Sequence, residues 1–90
     1  SDAVELPIDG TLDLHSFRPE EARDVVRDYL KACRSRGIVH ARIIHGKGTG
    51  ALRQTVHALL SRLQEVASFR LADEESGGWG ATIVVLNKDE

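Results

Sequence analysis

Ile38-Val-His-Ala-Arg-Ile-Ile-His45-Gly-Lys-Gly-Thr-Gly50-Ala-Leu-Arg53 is the stretch that decides the fold. Its first half is short and β-branched and lies between Gly37 and Gly46, which predicts a strand over 38–44. From Ala51 to Val66 the residues Leu52, Val56, Leu59, Leu60 and Leu63 fall mostly three and four apart, which predicts a helix. Arg53, His57 and Arg62 then share its polar face. A strand, a glycine-rich turn and a helix in succession belong to an α/β fold.

Upstream, residues 8–15 end in an alternation that puts Leu12 and Leu14 on one face and Asp13 and His15 on the other, as in a strand. Pro19 suits the first position of a helix, and Glu20 and Glu21 suit its positive end. Ala22, Val25, Val26, Tyr29, Leu30 and Cys33 make one apolar stripe, and Gly37 supplies the stop. Two strands joined by such a helix are expected to be parallel neighbours with a right-handed crossover. Downstream, 68–72 reads as an edge strand with Phe69 and Leu71 inward and Arg70 outward. Asp73 to Gly80 reads as an acidic, glycine-rich loop, and Ala81 to Leu86 as a central strand covered on both faces. The expected architecture is a two-layer α/β sandwich in βαβαββ order, with a mixed sheet of about four strands and two helices. Its single domain spans 8–87, between a flexible segment 1–7 and a tail 88–90.

Length and composition agree. Ninety residues, 41% hydrophobic and 29% charged, suffice for one modest core and for no deep, multi-walled site. No apolar run approaches the ~20 residues of a membrane span. Asp2, Glu5, Asp9 and Asp13 occupy the place of a basic start and apolar block, so no secretory leader is expected. The single Cys33 excludes an internal disulfide or a Cys-based zinc cage and suits a reducing cytoplasm. With no Met anywhere, the chain is expected to be a processed or excised piece of a longer one.

The net charge of −2 hides a strong asymmetry. Residues 29 to 64 contain no acid, yet hold Lys31, Arg34, Arg36, Arg42, Lys47, Arg53 and Arg62. Such a basic middle in an otherwise acidic chain suits a phosphate backbone. A solvated surface with counter-charges nearby in space is the alternative.

His45-Gly46-Lys47-Gly48-Thr49-Gly50 carries the chemistry. Its glycines allow sharp turns and close backbone approach, the following helix start adds N–H groups, and Lys47 and Thr49 add a cation and a hydroxyl. A tight turn that merely requires glycine is the bland reading. The spacing is not that of a Walker A loop. The G-x-G-x-x-A pattern of Gly46, Gly48 and Ala51 is a weak dinucleotide signal that follows the wrong strand. If the first two strands are parallel neighbours, His15, His45 and the glycine loop meet at one sheet end, with Asp13 able to orient His15. Two imidazoles beside an anion-binding loop provide a base and an acid for phosphodiester cleavage. Histidines satisfied by the backbone are the structural alternative, and a three-ligand metal site from Asp13, His15 and His45 is another use. His40 and His57 read as solvated bystanders. Trp79 reads either as a stacking platform for a base or as a lid on the core.

Leu12-Asp13-Leu14-His15, Glu21-Ala22, the His45 to Gly50 element with Ala51-Leu52-Arg53, and Gly80-Ala81-Thr82 together resemble the small MutS-related (Smr) domain over about 8–86. The resemblance implies a fold like the C-terminal domain of translation initiation factor three. It also implies nucleic-acid binding, with DNA nicking or endonucleolytic RNA cleavage in the family. Carried over by residue, its first motif falls on Asp13 and His15 and its glycine loop on His45 to Gly50, with Ser16 where the family usually has Gly. The expected catalytic residues are therefore Asp13, His15 and His45. Arg42, Gly46, Lys47, Gly48, Thr49, Gly50 and Arg53 are expected to hold nucleic acid. A divalent metal is compatible with the sequence but not required by it. The expected partner is RNA or DNA, with cleavage of structured RNA or branched DNA. The alternative is a non-catalytic nucleic-acid or ribosome-binding module. The expected state is a cytoplasmic monomer, which a larger protein or a ribosome-associated assembly could include.

Overall fold

The computed structural model describes residues 7–76 and 78–88. The expected flexible segment 1–7 and tail 88–90 thus lie, apart from Pro7 and Lys88, outside the described residues.

Strand β1 (Thr11–Asp13) leads through two short 3-10 turns, Leu14–Ser16 and Pro19–Glu21, into helix α1 (Ala22–Ser35). Strand β2 (His40–Ile44) precedes helix α2 (Ala51–Leu60), and strands β3 (Val66–Leu71) and β4 (Ala81–Leu86) complete the chain. The sheet order is β1-β2-β4-β3. β1 runs parallel to β2, with Asp13 opposite Ile44, and β4 runs antiparallel to both β2 and β3. The βαβαββ order, the parallel pair and the mixed two-layer architecture are as expected from sequence.

The apolar stripes explain the packing. Ala22, Val26, Tyr29, Leu30 and Cys33 of α1 and Val56, Leu59 and Leu60 of α2 join Leu12, Ala41, Ile43, Val84 and Leu86 of the sheet in one buried cluster. The Tyr29 hydroxyl accepts from the Gly10 N–H at 2.9 Å and donates to the Thr11 carbonyl at 3.0 Å, tying α1 to β1. Gly37, at φ +77°, ends α1.

β2 begins at His40 instead of Ile38, and β3 runs Val66–Leu71 instead of 68–72, and four further boundaries and faces differ from expectation. β1 ends at Asp13, so His15 sits on the following 3-10 turn, although Leu12 and Leu14 are buried and Asp13 and His15 exposed as the alternation required. α2 stops at Leu60 instead of Val66. The N–H groups of Arg62 and Leu63 tighten onto carbonyls three residues back, and Asn87 bonds the Gln64 and Glu65 carbonyls. The chain must turn here so that Val66 can pair with Leu86. Leu71 is not inward but 39% exposed, because it ends an edge strand beside an open loop. Finally, β4 is buried on the helix side while Ile83 and Val85 are half-buried, since helices cover only one face of the sheet.

Candidate nucleic-acid interface

The parallel pairing sets the site. Because Asp13 lies opposite Ile44, the turn after β1 and the glycine loop after β2 leave the sheet at the same end. β4 runs the other way, so the loop ending at Gly80 arrives there too. The Gly80 carbonyl accepts the N–H groups of His45 and Gly46 at 3.0 and 2.8 Å. Three loops thus meet where ligands of open α/β sheets are held.

In the first loop, Asp13 Oδ1 accepts the His15 backbone N–H at 2.9 Å and His15 Nδ1–H at 2.7 Å. The backbone bond is the main reason that the Asp13 carboxyl is held below its ordinary value of 3.8. The carboxylate can only accept, so it places the His15 proton on Nδ1 and leaves Nε2 as an acceptor in the neutral ring. His15 and Asp13 side chains are 64% and 52% exposed, so this oriented imidazole is open to a ligand. Its Nε2 lies 3.0 Å from where a Cβ on Gly46 would stand, and Gly46 itself has φ +78°. Only glycine fits there without moving His15.

The second loop exposes Lys47, Gly48 and Thr49. Thr49 Oγ1 accepts the Ala51 N–H at 3.3 Å, and the first backbone bond of α2 runs from Gln54 N–H to the Gly50 carbonyl. N–H groups at this helix start are therefore available to an anion, whose charge the helix dipole favours. Arg53 folds back over Gly50, its Nη2 2.9 Å from where a Cβ there would stand. A cavity of about 320 Å³ opens along this loop, lined from Gly46 to Arg53 with His45, Pro19 and Thr55.

His45 is 5% exposed and does not share the position of His15. Its Nδ1 lies 2.9 Å from the Gly46 carbonyl and its Nε2 2.8 Å from Thr82 Oγ1. A carbonyl only accepts, so Nδ1 carries the proton. Burial holds the His45 pKa below its ordinary 6.5, so the ring is neutral at pH 7 and Nε2 accepts from the Thr82 hydroxyl. That hydroxyl has then spent its only proton, and the His57 Nε2 at 2.7 Å from Thr82 Oγ1 must donate. The result is a directed chain from His57 to Thr82 to His45 to the Gly46 carbonyl. His57 also packs on Phe69, ring centroids 5.0 Å apart, and edge-on to His45 at 6.0 Å. Burial, then His45 and Arg53, likewise depress its pKa.

His57 is thus not a solvated bystander, and Thr82 was not singled out from sequence. The signal for both was one hydroxyl inside the apolar run Ala81–Leu86, because a buried hydroxyl needs partners. Among the described residues, every buried side-chain polar atom has one.

The alternative use of Asp13, His15 and His45 as a three-ligand metal set is not assembled among the described residues. Both ring nitrogens of His45 are committed to Gly46 and Thr82, and no three metal-ligating side chains converge among the described residues. Nor does the basic block gather. Arg34 donates to the Asn87 and Lys88 carbonyls and Arg36 to that of Ala32, at the end of α1 remote from its start at the site. Arg42 lines a separate groove with Asp9, His40 and Glu75 on the open face of the sheet. Of the seven, Lys47 and Arg53 line the loop. The physical reason is that α1 ends and α2 begins at opposite ends of the sheet, α1 alone spanning roughly 20 Å at 1.5 Å per residue.

Known proteins resemble this chain in sequence and fold. The family model of the Smr domain matches residues 12–87. Endonuclease MutS2 of Halothermothrix orenii is 43% identical over 79 residues, covering 88% of this chain and 10% of that protein. That of Geobacillus kaustophilus is 45% identical over 75 residues, covering 83% and 10%. The chain therefore spans about a tenth of the length of these curated relatives. The crystal structure of the Smr domain of Thermus thermophilus MutS2 superposes with a TM-score of 0.81 at 40% identity, over 86% of this chain and 96% of that one. YdaL, a stand-alone small MutS-related protein of Escherichia coli, does so with 0.83 at 30% identity, over 91% and 67%. With motif residues, sheet topology and these similarities in agreement, the chain belongs to the Smr domain family.

Proposed function

We propose that this chain is a nucleic-acid-binding domain with endonuclease chemistry, acting on structured RNA or branched DNA. The observation that carries the reading is the exposed Asp13–His15 pair, 2.7 Å apart, against a glycine loop that offers Lys47 and helix-start N–H groups. His15 Nε2 is a base able to take the proton of an attacking hydroxyl, whether water or a ribose 2′-hydroxyl; as that oxygen bonds to phosphorus, the bond from phosphorus to the leaving ribose oxygen breaks, and that oxygen takes a proton from the protonated His15 or from water. Asp13 fixes the ring's tautomer and offsets the charge that forms on it. Lys47 and the N–H groups after Gly50 bind the phosphate and offset the charge that builds on its oxygens. His45, assigned to catalysis from sequence, becomes a positioning residue, because both its nitrogens are engaged in holding the Gly46 carbonyl and Thr82. The name endonuclease MutS2, borne by relatives of the same family, supports the nuclease assignment. Exposed large hydrophobics are confined to Leu71 and Trp79 among the described residues, which supports a monomer.

The test uses end-labelled RNA and DNA hairpins with the native chain, Asp13→Asn and His15→Ala, resolved on a denaturing gel with and without chelator. Cleavage by the native chain alone supports the proposal, and the chelator lanes decide the metal requirement. Cleavage surviving in both variants overturns it.

A second reading is a binding module without catalysis that docks a larger protein, or a ribosome-associated assembly, onto nucleic acid. It is favoured by the same engagement of His45, which leaves a single exposed imidazole at the loop. Salt-sensitive binding with no cleavage by the native chain would select it.

A further inference from the structure

We infer that Trp79 is a stacking platform for one unpaired nucleobase, placed beside the loop that holds the backbone, so that the domain prefers nucleic acid with a single-stranded tail, flap or bulge to intact duplex. The inference rests on the nucleic-acid reading above and names the substrate feature that this site selects.

Trp79 lies on the 3-10 turn Gly78–Gly80 and is 57% exposed, although it is the largest apolar side chain in the molecule. It is not a core lid. Its position is nevertheless determined, since the adjacent Gly80 carbonyl takes two N–H bonds from His45 and Gly46. Gly80 packs so closely on the glycine loop that a Cβ there would stand 3.4 Å from Lys47 Cγ and 3.6 Å from the Gly46 backbone. The tryptophan turn and the phosphate-facing loop are therefore one unit.

Trp79, Lys47, Gly48, Thr49, Gly50 and Arg53 line a shallow hollow of about 140 Å³. Lys47 Nζ sits 5.8 Å from the Trp79 ring centroid. Such a cation is held over the ring and remains free to reach a phosphate. The hollow thus combines a flat π-face with two cations and backbone N–H groups, the combination that binds single strands. A base inside a duplex has both faces covered by its neighbours, so a base that lies on Trp79 away from a helix end must be unpaired. No carboxylate lines this hollow among the described residues, and Glu75 faces the other groove beside Arg42. The acidic run before Trp79 therefore does not oppose a strand at this point. Stacking reads the base and not the sugar, so RNA and DNA both qualify.

Trp79 is the sole tryptophan, and its fluorescence reports this site alone. The native chain is titrated with a fluorescein-labelled blunt hairpin closed by a non-nucleotide linker, so that every base is paired, and with the same hairpin carrying a six-nucleotide tail, in RNA and DNA forms, at low salt. Anisotropy reads binding and tryptophan emission reads stacking. The tailed hairpin is expected to bind about tenfold tighter, equivalent to about 1.4 kcal/mol, and to quench Trp79. Trp79→Ala should bring the ratio of the two affinities to about one, and Trp79→Phe should restore part of it. Equal affinities for the two hairpins, a preference that survives Trp79→Ala, or unquenched emission at saturation each overturn the inference while leaving nucleic-acid binding intact. If anisotropy shows neither hairpin bound, the underlying reading fails and this inference with it.

Discussion

Two histidine-bearing regions lie at the same end of the sheet, and they use the imidazole in opposite ways. In the Asp13–His15 pair one ring nitrogen is fixed by a carboxylate, while the other, beside Gly46, makes no hydrogen bond among the described residues, and the side chain is 64% exposed. In the His45–Thr82–His57 chain the central hydroxyl is fully buried and both nitrogens of His45 are bonded within the protein. Both clusters hold an imidazole by internal hydrogen bonds, so the presence of such bonds alone does not separate chemistry from architecture. Exposure does. The first has an unused lone pair that a substrate proton can reach. The second converts its polar groups into a strut that holds the Gly46 carbonyl, and hence the loop, in one orientation.

The contrast breaks most sharply on removing the outward imidazole. His15→Ala is expected to lower hairpin cleavage by about 10²–10⁴, equivalent to roughly 3–5 kcal/mol in the barrier, with urea stability changed by about 0.5 kcal/mol or less. Single-turnover gels and urea unfolding on the same preparation check both halves. Thr82→Val should show the reverse priority. It leaves Nε2 of buried His45 and of half-buried His57 without their shared partner, and is expected to cost about 1–3 kcal/mol in urea unfolding.

Gly46→Ala joins the two regions. Forcing a Cβ into φ +78° costs about 1–2 kcal/mol, and that Cβ would meet His15 Nε2. The variant should therefore lose stability and cleavage together, and the His15 ring resonances should shift in its NMR spectrum while those of a distant core residue such as Leu30 do not.

The smallest expected effect is a titration. Burial depresses the pKa of both His45 and His57 below 6.5, so the unfolded chain takes up protons first as pH falls. Their contribution to stability is fully present above about pH 6.5 and is lost as pH drops below it. Asp13, with its lowered pKa, adds a contribution lost only below its ordinary 3.8. The urea midpoint should thus fall between pH 7.5 and 5.5. His57→Gln keeps an N–H donor for Thr82 but does not titrate, so it should show a smaller fall over the same interval. An undiminished fall would place the titration elsewhere than this buried chain.

Much of the molecule was legible in the residues themselves. The alternation of Leu12, Asp13, Leu14 and His15 assigned the right faces even though β1 ends at Asp13. The stripe from Ala22 to Cys33 described α1, and Gly46, Gly48 and Gly50 marked a strand-to-helix turn with free N–H groups. Leu63 continues the helical spacing beyond the end of α2, whereas pairing of Val66 with Leu86 demands an earlier turn. Alternation puts Leu71 on the inner face but does not tell how far a neighbouring layer extends over it, and Leu71 is exposed.

Periodicity and glycine placement are local properties of the chain, and they alone determined the element order, the helix stripes and the position of the loop. Which polar groups are reachable is a property of neighbours that pairing brings together from afar. His45 meets Thr82 across 37 positions, and Gly80 meets Gly46 only because β4 runs antiparallel beside β2. Tertiary structure therefore decided that His15 faces the solvent and His45 does not. It also sent most of the basic block away from the glycine loop and brought Trp79 to it.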